Sequence, residues 1–382
     1  MDKFNFYHLN MNCIIPHTKY IIKCLLFVFI GMLQLASCIK PPEKEPQPST
    51  PEISSDTILS TQEYGKLVVL NEGLFQQNNS SISTITLSDS IVYNGTYKSI
   101  NDRNLGDTGN DMQTYGDKIY VVMHSSSYVE VLDKYSLRSI GQVLLSKENK
   151  SRLPRYVTFY EEEVWVSCYD GYVVSFDTTA FLVNSVIKVG RNPEGLAVYD
   201  DKLFVANSGG LDTPNYDKTV SVIDLISRKE VQKIEVGINP HKVLAAFGNI
   251  YVSSRGDHDQ VLSDTYVIDA TTEKVIGTLG IESTSFALKN DTLLVASFNY
   301  SSGKSQVNFY DAITSNLISL DALNLAGLKT LYAIHTASDG SIYCCDANSF
   351  TSFGQLFMFK NSFNPIKILD VGLNPTNVLF IE

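Results

Sequence analysis

Apolar and polar positions alternate with a period of two in short runs that recur along most of the chain. YVEVLD, YVVSFD, VSVID, TYVID and QVNFYD all follow the pattern, and they close on Asp133, Asp177, Asp224, Asp269 and Asp311. Period two is the signature of a strand whose successive side chains point to opposite faces. An aspartate at the end of such a run opens a turn, because its carboxylate accepts hydrogen bonds from the backbone just ahead. A second set of strands has an aromatic or large aliphatic residue at one fixed place. Its members are DKIYVVM around Tyr120, EEVWVSC around Trp165, DKLFVANS around Phe204, GNIYVSS around Tyr251, DTLLVAS around Leu294 and GSIYCCD around Tyr343.

Both sets belong to one repeat. VGRNPEGLAV (189 to 198), VGINPHKVLA (236 to 245) and VGLNPTNVLF (371 to 380) are near copies, with prolines spaced 47 and then 135 residues apart, the second interval being three times 45. Phe204 and Tyr251 follow their prolines by eleven residues, as Trp165 follows Pro154. The closing aspartates are 42 to 47 residues apart. A unit of about 45 residues with four short strands is a propeller blade, whose sheet cannot bury both faces until neighbours stack on it. Residues 64–382 hold 319 residues, enough for seven such units. The last copy supplies a first strand and stops, whereas GKLVVLNEG (65 to 73) reads as a second strand. The expected fold is therefore an all-β, seven-bladed β-propeller in which the N- and C-terminal strands share blade 1, removing an open sheet edge.

Composition agrees. Twenty-one Tyr and 19 Phe against one Trp, with 23 Gly, lean towards strands and tight turns. The formal charge of −11 argues against a nucleic-acid partner, which needs a concentrated basic surface.

Residues 1–37 read as a lipoprotein signal peptide: Lys19 precedes the apolar stretch IIKCLLFVFIGMLQLAS, which carries Lys23 near its start. Met11 is a second possible start that would give a signal of more ordinary length. Leu35-Ala36-Ser37-Cys38 resembles the bacterial lipobox, in which cleavage occurs before a lipid-modified cysteine. Acylation of Cys38 with several chains would anchor the protein to a membrane. Without residues 1–37 the chain has 27 basic and 40 acidic residues, a charge of −13. Residues 38–63 are Pro-rich without apolar periodicity and read as an extended tether. Only Cys168, Cys344 and Cys345 remain in the domain, and they read as small core residues without a disulfide.

The recurrent Gly, Asn, Pro and Asp shape strand entries and turns, so function belongs where the copies disagree. Loops joining second to third strands, and fourth strands to the next blade, share one rim around the channel; here that rim is long and irregular, as binding faces are. The residues following the inner-strand proline are Asn110, Arg155, Glu194, His241, Thr284 and Thr376, with Leu331 as the blade 7 equivalent. The next position gives Asp111, Tyr156, Gly195, Lys242, Ser285, Tyr332 and Asn377. The candidate ligand-binding residues are Asn71, Gln76, Asn78 and Asn79 of blade 1, Asn110 and Asp111 of blade 2, and Arg155, Tyr156 and Tyr169 of blade 3. Asn207 and Tyr216 of blade 4, His241 and Arg255 of blade 5, Phe298 and Tyr300 of blade 6 and Tyr332 of blade 7 complete the set. No catalytic motif or phosphate loop is present. SRGDHDQ (254 to 260) has metal-ligand residue types without the His-rich spacing of a metal site, and no metal or cofactor is expected. A metal-dependent lyase or lactonase would lean on Glu194 and His241; a protein-adhesion module is a third reading.

TVSVIDLISRKEVQKIEVGINPHKV (219 to 243) is similar to YVTN-type, YncE-like β-propellers. Across the domain, NEGLFQQNNSSIS, NLGDTGNDMQTYGDKIYVV and the PRYV and GINPHKV copies resemble the BtuG-like group of outer-membrane lipoproteins. That resemblance implies a surface-exposed, non-catalytic propeller. It also implies capture of a small-molecule nutrient, cobalamin or another corrinoid, for a TonB-dependent outer-membrane transporter. A corrinoid is large, amide-fringed and partly apolar, so its receptor should offer a broad concave face with amide, hydroxyl and aromatic partners. The anchor is testable by itself: a Cys38→Ala protein should leave the membrane fraction, and its retention there would count against lipidation.

Overall fold

The computed structural model describes residues 65–382. The signal peptide, Cys38 and the whole of the tether lie outside the described residues. Seven four-stranded antiparallel sheets form a ring of seven blades. The inner strands of blades 2 to 7 are Gly109–Tyr115, Pro154–Tyr160, Pro193–Tyr199, Pro240–Ala246, Ser285–Lys289 and Leu331–Thr336. Blade 1 takes its inner strand from the C-terminus. Pro375–Ile381 pairs with Lys66–Asn71, which pairs in turn with Ser81–Thr86 and that with Val92–Tyr93. Two features escape the repeat: a six-residue helix, Thr96–Asn101, between blades 1 and 2, and a small hairpin of Ser146–Lys147 with Lys150–Ser151 between blades 2 and 3.

The period-two pattern acquires its meaning between blades. In the second strand of blade 2, Ile119, Val121 and Met123 enter the cluster shared with blade 1, whereas Tyr120 and Val122 enter the cluster shared with blade 3. Each of the seven interfaces has such a cluster. The recurring large residue always points towards the following blade. Trp165 packs with Leu203 and Val205, Phe204 with Ile250 and Val252, and Tyr343 with Leu67 and Val69. The cysteines sit in this core as small residues, Cys344 facing blade 6 and Cys345 facing blade 1, free and buried, with burial raising both thiol pKa values.

The strand-closing aspartates cap their turns as their placement predicts. Asp133 accepts from Ser136 N at 2.8 Å, Asp177 from Thr179 N at 3.0 Å, Asp224 from Ser227 N at 2.6 Å, Asp269 from Thr272 N at 2.7 Å and Asp311 from Thr314 N at 2.7 Å. In Asp177 the backbone N–H of Ala180, joined by those of Leu182 and Thr179, holds the carboxyl down at about 2. A carboxyl whose pKa is depressed by folding favours the folded state above its unfolded value, and that contribution disappears as pH falls through the folded value. Asp177→Ala should therefore lower the thermal midpoint at pH 7. The gap to the parent should persist down to about pH 4, the unfolded aspartate value, and narrow towards pH 2. Unfolding scans across that range check it.

Candidate functional site

The inner strands of blades 1 to 5 enter the ring through the same local device. The Asn before the proline is in the left-handed region, with φ of 44° at Asn192, 59° at Asn239 and 53° at Asn374. Asparagine tolerates this conformation better than most residues. Leu153 (55°) and Thr108 (58°) adopt it in blades 3 and 2. The two residues after the proline then form a bulge opposite one residue of the second strand. Pro154 pairs with Cys168 and Val157 with Val166, leaving Arg155 and Tyr156 against Ser167. A bulge re-aims side chains. Here it places Arg155, Tyr156, His241 and Lys242 at the upper mouth of the channel.

Register corrects one expectation. Leu331 lies opposite Asp346, as Pro154 lies opposite Cys168 and Pro240 opposite Ser254. Leu331 therefore takes the proline's place, Tyr332 the first position and Ala333 the second. Without a proline, blade 7 gave the alignment no anchor.

The mouth is a cavity of about 270 Å³, joined through Tyr156 and Lys242 to a lower chamber of about 350 Å³ walled by the inner strands. Seven of the sixteen candidates line the upper cavity: Asn110, Arg155, Tyr156, His241, Arg255, Tyr300 and Tyr332. Asp111 lies below, buried, accepting from Val157 N and Asn377 Nδ2, both at 2.9 Å. Burial raises its pKa.

Other candidates are placed differently. Asn71 and Asn207 are fully buried and belong to the framework. The Asn207 side chain accepts from Gly190 N at 3.0 Å and donates to Thr219 Oγ1 and Ser221 Oγ at 3.0 and 2.9 Å. Asn71 Nδ2 likewise donates to Ser81 and Ser83 Oγ at 3.2 and 2.8 Å. These contacts explain the motif glycines: a Cβ on Gly190 would come within 2.3 Å of Asn207, and one on Gly372 within 2.5 Å of Asn71. Asn78 and Asn79 line a separate hollow beside the short helix. Gln76 holds the same loop, its backbone N–H donating to Asp107 Oδ1 at 3.1 Å. Tyr216 is half-buried, edge-on to His258 with ring centroids 6.4 Å apart. Phe298 is buried, and Tyr300 stands on it edge-to-face at 4.9 Å.

The polar side of the mouth is a network centred on Glu194, 1% exposed. Arg155 Nε donates to Glu194 Oε2 at 2.8 Å, and the Tyr169 hydroxyl donates to Oε1. The guanidinium carbon lies 4.6 Å from the Tyr169 ring centroid. Burial opposes the charge of Arg155, but Glu194 together with Tyr169 and Tyr156 outweighs it and raises the pKa. His241 accepts at Nε2, shared between Arg255 Nη2 at 3.0 Å and the Tyr156 hydroxyl at 3.1 Å. Burial first, then the charges of Arg255, Lys242 and Arg155, hold its pKa well below the usual value. Opposite them, the Tyr332 hydroxyl donates to Glu72, whose pKa burial raises.

Lys242, Glu194 and Glu72 are among the residues of this site outside the candidate set. Lys242 and Glu194 were visible as bulge positions, but nothing distinguished them from a solvated ring. Glu72 lies in a loop where the repeat gives no register. Among the described residues no three of His, Cys, Asp and Glu cluster to hold a metal, and His258 lies 3.5 Å from Asn239 Nδ2 instead.

Residues 64–262 match the family model described as "Domain of unknown function (DUF5074)", and the chain belongs to that family. No curated protein matches it in sequence. In fold it is similar to the hydrazine synthase of Kuenenia stuttgartiensis, at 12% identity and a TM-score of 0.55 over 81% of this chain and 99% of that one. It is also similar to the WD40 β-propeller domain of Doa1, at 10% identity and a TM-score of 0.55 over 78% and 90%. At such identities the likeness concerns the fold alone.

Because Glu194 is buried, removing its partner should cost more than an exposed ion pair is worth. Arg155→Ala should lower stability by about 3 kcal/mol in urea titration. A loss under about 1 kcal/mol would mean that water screens the pair.

Proposed function

We propose that this propeller is a binding protein that captures a small molecule at the mouth of its channel. The observation that carries the reading is a contrast within the repeat. Framework positions recur from blade to blade, whereas the first bulge position is Asn110, Arg155, Glu194, His241, Thr284, Tyr332 and Thr376 in turn, and six of these seven line the cavity. Pockets that bind small molecules combine a few placed polar groups with apolar and aromatic walls. The aromatic wall here is Tyr332 and Tyr300, with Phe350 stacked on Tyr300 at 15° between planes.

Capture rather than turnover fits the same geometry. A general base needs a free lone pair within reach of a substrate proton. The lone pair of His241 is occupied by Arg255 and Tyr156, and Glu194 is held by Arg155 and Tyr169. In this proposal Cys38 anchors the protein, residues 39–62 lift it from an outer-membrane surface, and a TonB-dependent transporter receives the ligand. Leu211 and Leu262, 69% and 85% exposed on the rim loops of blades 4 and 5, offer that transporter an apolar contact.

The resemblance to BtuG-like lipoproteins favours a corrinoid. Such a ligand is too large for 270 Å³ and would lie across the rim, its macrocycle on the Tyr300–Phe350 shelf. Calorimetry with cyanocobalamin should give heat. Tyr300→Ala and Arg255→Ala should each weaken binding by about 2 kcal/mol. No heat and no spectral shift at micromolar concentrations would remove the corrinoid as ligand.

A further inference from the structure

The mouth holds two cations with no acid in salt-bridge contact: Arg255, and Lys242, whose charge acts on the buried carboxyls of Asp111 and Glu72 without touching them. Among the described residues no carboxylate lies within 4.0 Å of Lys242 or Arg255, although Arg155, Arg152, Arg191 and Arg228 each have one. The chain is strongly acidic, so counter-charges are not scarce. The two acids lining the cavity are engaged elsewhere, Glu72 by the Tyr332 hydroxyl and Glu282 by Asn299 Nδ2 at 3.3 Å. Lys242 Nζ lies 4.3 Å from the Tyr156 ring centroid, and Arg255 Nη2 lies 3.0 Å from His241 Nε2. Tyr156 and His241 are themselves joined at 3.1 Å, so both cations converge on one pair of neutral rings.

We propose that this corner of the cavity recognises the carboxylate or phosphate of a small organic anion, whose planar body lies on the Tyr300–Phe350 shelf. The inference rests on the capture reading and adds its ligand class. Keeping an ammonium and a guanidinium partly out of water without a directly bonded counter-ion is unfavourable, and a bound anion lowers that cost while making charge-assisted hydrogen bonds. The site is selective because the third group, His241, is a neutral acceptor: it fixes Arg255 without consuming its charge. After burial, the charges of Arg255, Lys242 and Arg155 depress the pKa of His241, and an anion would meet that same field. The shelf supplies the rest of the affinity. Tyr300 is 68% exposed, supported edge-on by Phe298 from below and stacked with Phe350 at 6.4 Å, and Tyr332 meets Phe350 edge-on at 5.9 Å.

The test uses three probes on the full chain: phenylphosphonate, inorganic phosphate and benzyl alcohol, titrated by calorimetry and by NMR of labelled tyrosine and histidine. Phenylphosphonate should bind at least tenfold more tightly than either of the others and weaken as salt is raised. Arg255→Gln and Lys242→Gln should each lose tenfold or more with the thermal midpoint unchanged, and Arg255→Lys should keep most of the affinity. Benzyl alcohol binding as tightly as phenylphosphonate, or either Gln variant retaining full affinity for phenylphosphonate, would overturn the anion assignment. If benzyl alcohol binds and Tyr300→Ala abolishes it, the capture reading survives that loss. If none of the three probes shifts the signals of Tyr156, His241, Tyr300 or Tyr332, the anion assignment falls; if cyanocobalamin also leaves them unmoved, the capture reading falls with it.

Discussion

Burial of each second strand between two neighbouring sheets holds this molecule together. Residues such as Val166 and Trp165 are adjacent in sequence yet fully buried in different clusters, one against blade 2 and the other against blade 4. Each such side chain contributes about 1.5 to 3 kcal/mol when buried, but only if a sheet stands on that side. No blade is therefore stable alone, and the ring must close. Pairing of Pro375–Ile381 with Lys66–Asn71 closes it with backbone hydrogen bonds, and the resulting blade completes the clusters on both of its flanks.

The same closure fixes the site. A ring of inner strands needs a way for the chain to turn from the outer edge of one blade to the axis of the next. Left-handed Asn192, Asn239 and Asn374 make that turn, with glycines making room for Asn207 and Asn71. The bulge that follows delivers two side chains per blade to the channel. The framework thus specifies where the functional residues stand without constraining which residues they are, and those positions are free to differ in charge and size.

What they form is asymmetric. Blade 3 presents Arg155, blade 5 presents Lys242 and Arg255, and blades 6 and 7 present Tyr300 and Tyr332. The buried Arg155–Glu194–Tyr169 unit holds one cation in place, and His241 orients another. Such arrangements do little for net stability, because desolvation offsets the Coulombic gain. Their effect is to fix side chains that would otherwise sample many rotamers, which would lower the entropic cost of the binding proposed.

By itself the sequence determined the repeat, the blade number, the shared blade 1, the capping role of Asp133 and its counterparts, and the core role of the cysteines. All of these follow from local rules: period-two alternation, turn chemistry and a 45-residue spacing. Those rules place a residue within its blade. They do not say which residues of different blades meet. Asn71 and Asn207 have the chemistry of rim residues, yet the buried glycine and serine partners that claim them come from neighbouring segments of the sheet. Tyr332 was displaced by one position because blade 7 has no proline to count from, and only pairing of Leu331 with Asp346 sets its register. Tyr156 and His241 are 85 residues apart, and Glu72 and Tyr332 are 260 apart. Only closure of the ring brings them within hydrogen-bonding distance, so the charge balance and protonation of the mouth were decided by the tertiary structure.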